Sequence, residues 1–338
     1  MADGRGYRSY RGRSSKKKMV LAARLLLVIL AATGVVLMQK YIFYDETGSP
    51  HLEIPWKEAS EETEDEVELD LVIRPAEKPE ETLPLRGVML PEGILSLTTP
   101  DAILAENALW TATVVTLKDS AGTVYYSSGA ATHNPGVVAE ETVAALAEWT
   151  EGYAVARIAC FCDPKASNAD AENLGLKNID GYSFYDGNNS QWLDPAKPAA
   201  RAYLCSVVRE AAELGFREIL LTDVAYPTEG KVDQIAYGDG SQQEHLLMFL
   251  LEVRAVLEPY GVKLSVEIPA HAIQTGEDAL AGLDLKGIAP LVDRICAKVA
   301  PAEVEVCTAA VSAAGEKTGF VPILTAEETT PFEQFLIQ

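Results

Sequence analysis

Two carboxylates carry the chemistry that this sequence offers. Asp223 follows the apolar run Ile219–Leu221, and Glu267 stands near the end of the run Val262–Ile268. Both runs are too short for a helix and suit strands buried on both faces. Two carboxyl groups at neighbouring strand ends can share one reaction, in which one gives a proton and the other attacks or activates water. Adjacent strands lie about 4.8 Å apart, so the pair fits the short separation of a retaining cleavage of a glycosidic bond. Five residues form the expected substrate-binding set around it: Asp119, Arg157, Asp163, Trp192 and Tyr226. Asp119 and Asp163 follow two earlier apolar runs, where they suit either sugar hydroxyls or turn chemistry. Arg157 sits inside a strand-like run, where an unpaired charge is costly, so a partner such as Asp223 or Asp119 is expected. Trp192 and Tyr226, with Tyr182 and Tyr185, offer rings either to sugar faces or to the packing of their own loops.

The stretch Trp192–Gly230 must position Asp223. Asp194-Pro195 predicts a helix start, and Tyr203, Leu204, Val207, Val208, Ala211 and Leu214 recur at helical spacing. Gly215 predicts its stop, and the strand before Asp223 follows. Similar runs predict strands at Arg86–Leu90, Ala112–Leu117, Tyr153–Phe161, Val262–Ile268, Arg294–Val299 and Phe320–Thr325. Helices are expected at Pro100–Ala108, Val138–Glu151, His245–Tyr260 and Pro301–Ala314. The polar segment before Gln191 predicts a hairpin around Asp186-Gly187-Asn188-Asn189. Alternating strands and helices predict an α/β fold with a parallel sheet. A TIM-type (β/α) barrel is the expectation, in which strand C-terminal ends carry the site. Its eighth strand is expected to be incomplete or irregular: none is evident, and PFEQFLI near the C-terminus suits either a short strand or a helical turn. A doubly wound open sheet is the alternative, weakened in its dinucleotide-binding form because no G-x-G-x-x-G follows the first strand.

The motifs WLDP, EAAELGF-x-EI and Asp-x-x-Tyr-Pro, with ARIACFCDP at Ala156–Pro164, carry a resemblance. Over roughly Leu85 to Thr325 the chain resembles a bacterial family of glycoside hydrolase-like TIM barrels that often follow a membrane anchor. The strand order also resembles the amylase-like superfamily. That analogy implies Asp223 as nucleophile on the fourth strand and Glu267 as acid on the fifth. Family members usually carry an arginine two residues after the strand-end aspartate, and here that position is Ala225. The departure leaves two functions open: hydrolysis of a polysaccharide, and binding of a glycan or a protein partner by a catalytically inactive barrel at the cell envelope.

The 338 residues carry a net charge of −22, which disfavours nucleic acid as a partner. Residues 1–18 read as a basic cytoplasmic tail, 19–44 as a transmembrane signal anchor, 45–84 as an acidic disordered linker and 85–338 as the barrel. Val20 to Tyr44 is apolar enough to span a bilayer, and the positive tail keeps the N-terminus inside, which makes the barrel extracytoplasmic. A cleaved signal peptide is the rival reading. The five cysteines and four histidines show no ligand spacing, so no metal and no cofactor is expected, and the thiols are read as buried and mostly unpaired. Protease added to intact cells should release the barrel by cutting within 45–84; full protection would contradict the orientation.

Overall fold

The computed structural model describes residues 84–91, 99–131, 149–150, 152–325 and 332–338, with the strand pair at 42–44 and 50–52. Two compact units divide at Lys78 and Pro79. In the first, Ile42–Tyr44 pairs antiparallel with Pro50–Leu52. The rest of the expected span Val20–Tyr44, the basic tail and most of the acidic linker lie outside the described residues. Among the described residues no helix is long and apolar enough to cross a membrane.

The second unit is a closed parallel barrel. Its strands are β1 (Arg86–Met89), β2 (Ala112–Lys118), β3 (Ala154–Ala159), β4 (Glu218–Thr222), β5 (Lys263–Glu267), β6 (Arg294–Lys298), β7 (Gly319–Leu324) and β8 (Phe335–Ile337). They pair in chain order, and β8 closes the ring onto β1. The strand expected to be irregular is therefore short but paired on both sides. Leu336 points into the barrel, and a side chain at Gly87 would begin 2.7 Å from its Cδ2. A glycine opposite Leu336 is what lets β1 approach so closely.

Side chains alternate between two cores, as a barrel requires. Val114, Val155, Leu220, Cys296, Val321 and Leu336 fill the interior. Ile219, Leu221, Val266 and Ile295 face outward, in the larger core that also takes in the helices Pro198–Glu213 and Gln242–Leu257. The first of these helices begins later than Asp194-Pro195 predicts. Pro198 takes the first turn, and the Asp194 carboxylate instead accepts from Ala196 N–H at 3.0 Å. Two prolines compete for the start, and the aspartate closes a turn before the second. Gly215 follows the helix at φ 98°. The expected helix at 138–151 lies outside the described residues except for its last turn at Trp149 and Thr150.

One end of the interior is polar and fully paired. The buried Glu218 carboxylate accepts from Tyr153 Oη at 2.7 Å, from Ser265 Oγ and from the guanidinium of Arg294. Burial, and then the charge of Glu218, pushes the Tyr153 phenol well above its ordinary range. Arg294→Met would strand this carboxylate in the interior, and denaturant unfolding should show a loss of about 3–5 kcal/mol. Adding Glu218→Met should recover most of that loss; a single variant as stable as the parent would contradict the pairing.

Candidate active site

β4 and β5 deliver Asp223 and Glu267 to the C-terminal end of the barrel. Both line one cleft of about 510 Å³, together with Arg157, Thr222 and Lys298. Arg157 comes from β3 and Lys298 from β6, so four consecutive strands contribute. A second hollow of about 260 Å³ shares Asp223, Ala225, Pro269 and Leu283 with the first, making one cleft with two lobes.

Asp223 sits at φ 53°, one of two non-glycine residues with positive φ among the described residues. Aspartate tolerates this left-handed conformation better than most residues, but it still carries strain, and such strain clusters at functional sites. Its Oδ2 accepts from Ser120 Oγ at 2.6 Å. Arg157 pairs with Glu267, Nη2 to Oε2 at 3.7 Å, rather than with Asp223 or Asp119. The contact is an ion pair without a hydrogen bond, since Glu267 Oε2 and Arg157 Nε are both buried and unpartnered. Thr222 Oγ1 is unpartnered as well, on a residue only 4% exposed. Three polar atoms at one end of the barrel thus await partners, whereas the Glu218 cluster at the other end is satisfied. Buried polar groups are rarely left so, and a ligand would complete them.

The other expected residues divide. Trp192 lines the outer lobe, and its Nε1 donates to Asp186 Oδ2 at 2.8 Å. Asp186 also accepts from the N–H groups of Asn188 and Ser190, which builds the expected turn beside the site. Tyr226 borders the same lobe but is 1% exposed. Its hydroxyl is bonded to His245 Nδ1 at 2.7 Å and its ring meets Tyr237 edge-on, so it packs rather than stacks on a ligand. Asp119 accepts from Thr123 N–H and Tyr125 Oη, and serves its own turn. Asp163 is fully buried: it pairs with Lys118 at 3.0 Å and caps the helix Pro164–Ala169 through Ala166 N–H. No surface of Asp163 remains for a sugar hydroxyl.

The structure adds residues that strand ends alone did not suggest. Thr222, Ser120 and Lys298 join the inner lobe or its carboxylate; Glu229, His271 and Asp278 join the outer one. Asp278 accepts from His271 Nε2 at 2.8 Å and from two backbone N–H groups. Burial pushes its carboxyl up, but the His271 bond and the Ala281 N–H outweigh burial and hold it below the usual range. The five cysteines are free and buried. Burial drives the Cys162 thiol up to about 12 and the Cys205 thiol up to about 11, so neither offers a thiolate nucleophile at neutral pH.

Thr222→Val removes a hydroxyl that has no hydrogen-bond partner within the protein while keeping the shape. Stability should change by less than about 0.5 kcal/mol or rise, while affinity for a ligand that fills the cleft should fall. Equal affinity in calorimetric titration would contradict Thr222 as a ligand contact.

A family model described as "Putative glycosyl hydrolase domain" matches residues 101–318. Among solved structures, a hypothetical protein from Ruminiclostridium thermocellum ATCC 27405 is 26% identical, covering 53% of this chain and 96% of that one, with a TM-score of 0.45. The glycoside hydrolase domain of PgaB (BpsB) from Bordetella bronchiseptica is 13% identical, covering 72% and 84%, with a TM-score of 0.48. A class V chitininase from Pseudomonas fluorescens Pf-5 is 13% identical, covering 71% and 68%, with a TM-score of 0.43. No curated protein matches the chain. With more than half of its length matched by the family model, the chain belongs to the family described as "Putative glycosyl hydrolase domain".

Proposed function

We propose that the protein is a membrane-anchored, extracytoplasmic glycoside hydrolase that cleaves a polysaccharide in the two-lobed cleft. One observation carries the chemistry: Asp223 and Glu267, from adjacent strands, line the same cleft beside polar groups that lack partners. The anchor rests on the apolar segment Val20 to Tyr44 and its basic flank.

In this reading Ser120 holds Asp223 through Oδ2 and leaves Oδ1 to attack the anomeric carbon. The glycosidic C–O bond breaks as Glu267 gives its proton to the leaving oxygen. Water then attacks the glycosyl–Asp223 ester, loses its proton to Glu267 and frees Asp223. Proton delivery requires Arg157 to turn away from Glu267. A substrate oxygen accepting from the guanidinium would draw it off, and its unpartnered Nε leaves a donor for that bond. Ala225 withholds the family's usual cation, and Arg157 brings another into the same cleft.

The Arg157–Glu267 pair also favours a second reading, glycan binding without hydrolysis, because the guanidinium already occupies the Glu267 carboxyl that would have to deliver the proton. A polysaccharide panel scored separately for binding and for new reducing ends separates the two. Under hydrolysis, Asp223→Asn should abolish product release while sparing binding, and Glu267→Gln should slow cleavage by about 10²–10⁴-fold, most for poor leaving groups. Product release untouched by Asp223→Asn would remove this pair. Binding with no product from any glycan would leave the second reading.

A further inference from the structure

We propose that the outer lobe of the cleft selects a cationic glycan, a polysaccharide whose sugar at that position carries a free, protonated amine. The proposal rests on the cleft being the glycan site and specifies its substrate class. The two lobes differ in charge. In the inner lobe, Asp223 and Glu267 face Arg157 and Lys298, so formal charges cancel. Beyond the shared Asp223, already balanced in the inner lobe, the outer lobe is lined by Asp186, Glu229 and Asp278, and by no lysine or arginine. His271, the one histidine lining it, is already bonded to Asp278.

These carboxylates are mostly fixed before any ligand arrives. Three donors hold Asp186, two backbone N–H groups and His271 hold Asp278, and Ser120 holds Asp223. Glu229 is freer, held only by Asn188 Nδ2 at 3.3 Å. Fixed charges of one sign along a concave wall focus a potential that draws counter-charged ligands. An anionic polysaccharide would be repelled, and a neutral one would gain nothing from them.

The ligand is organic rather than a point cation. Among the described residues no group of three or more His, Cys, Asp or Glu side chains is gathered to hold a metal ion. The charge is spread along the lobe, as suits an extended chain. Thr222, next in chain to the shared Asp223, keeps its buried hydroxyl unpartnered in the inner lobe, a second sign that a polar ligand enters the cleft. The half-buried Trp192 indole in the outer lobe gives such a chain a flat ring edge or face to lie on.

The test is calorimetric titration of the purified full chain with hexamers of glucosamine and of galactosamine, beside their N-acetylated counterparts and hexalysine, at a pH where the amines are protonated. An amino-sugar hexamer should bind at least about tenfold tighter than its N-acetylated counterpart, a difference that added salt narrows. Glu229→Gln should weaken amino-sugar binding by about fivefold through loss of one carboxylate. Equal binding of amine and N-acetyl forms overturns the charge preference while leaving the glycan site in place. Hexalysine binding as tightly as the amino sugars shows a surface that reads charge alone and also overturns it. Failure of every saccharide to bind defeats the glycan site itself, and the proposal with it.

Discussion

Closure of the barrel is the constraint on which everything else depends. A parallel sheet cannot end in water without exposing an edge, and closing it puts every strand's C-terminal end on one rim. Here closure hangs on three residues, Phe335–Ile337, paired with β7 on one side and β1 on the other. Gly87 admits Leu336 into the interior, and the apolar layers below the rim pack around it. Asp223 and Glu267 share a cleft because β4 and β5 pair side by side in that ring.

The interior treats its charges unequally along its length. At one end Glu218, Arg294, Tyr153 and Ser265 satisfy one another, and beside the β2 end Lys118 and Asp163 pair at 3.0 Å with no exposed surface. At the rim, Arg157 and Glu267 stand 3.7 Å apart, and three buried polar atoms lack hydrogen bonds. Desolvated charges are tolerated when paired and costly when not. The hydrogen-bonded clusters hold the barrel, and the rim ion pair, which lacks hydrogen bonds, is where the proposed ligand would add them. The left-handed backbone at Asp223 fits the same division, since strain is kept where it serves chemistry.

Much of this was legible from residue patterns. Each of the seven short runs read as a strand between Arg86 and Thr325 became one, because such a run is too short for a stable helix and a parallel sheet buries it on both faces. The carboxylates after β4 and β5 reached one cleft for the same reason. β8 was hidden because three apolar residues carry no usable periodicity. The partner of Arg157 was hidden because the stagger of a barrel decides which inward side chains meet, and stagger is not written in any single strand. Asp163 looked like Asp119, a strand-end aspartate before a turn. Only the buried Lys118, a charge that a strand pattern marks as anomalous, could have signalled that Asp163 was already taken. Whether Tyr226 stacks on a ligand or packs stayed open in the sequence, because its partner His245 stands 19 residues on, in the following α-helix. Thr222 has no sequence signal at all, since a missing hydrogen bond exists only in three dimensions.

The central claim is that a glycan lies across Asp223, between the two lobes, and completes the unpartnered groups of the rim. A crystal structure of the Asp223→Asn protein soaked with a bound oligosaccharide tests it most directly. The account predicts sugar density spanning both lobes, with polar atoms within hydrogen-bond distance of Thr222 Oγ1 and Arg157, and with the Arg157–Glu267 contact opened. A sugar seated elsewhere on the barrel, with Arg157 still on Glu267 and Thr222 still unpartnered, would contradict it.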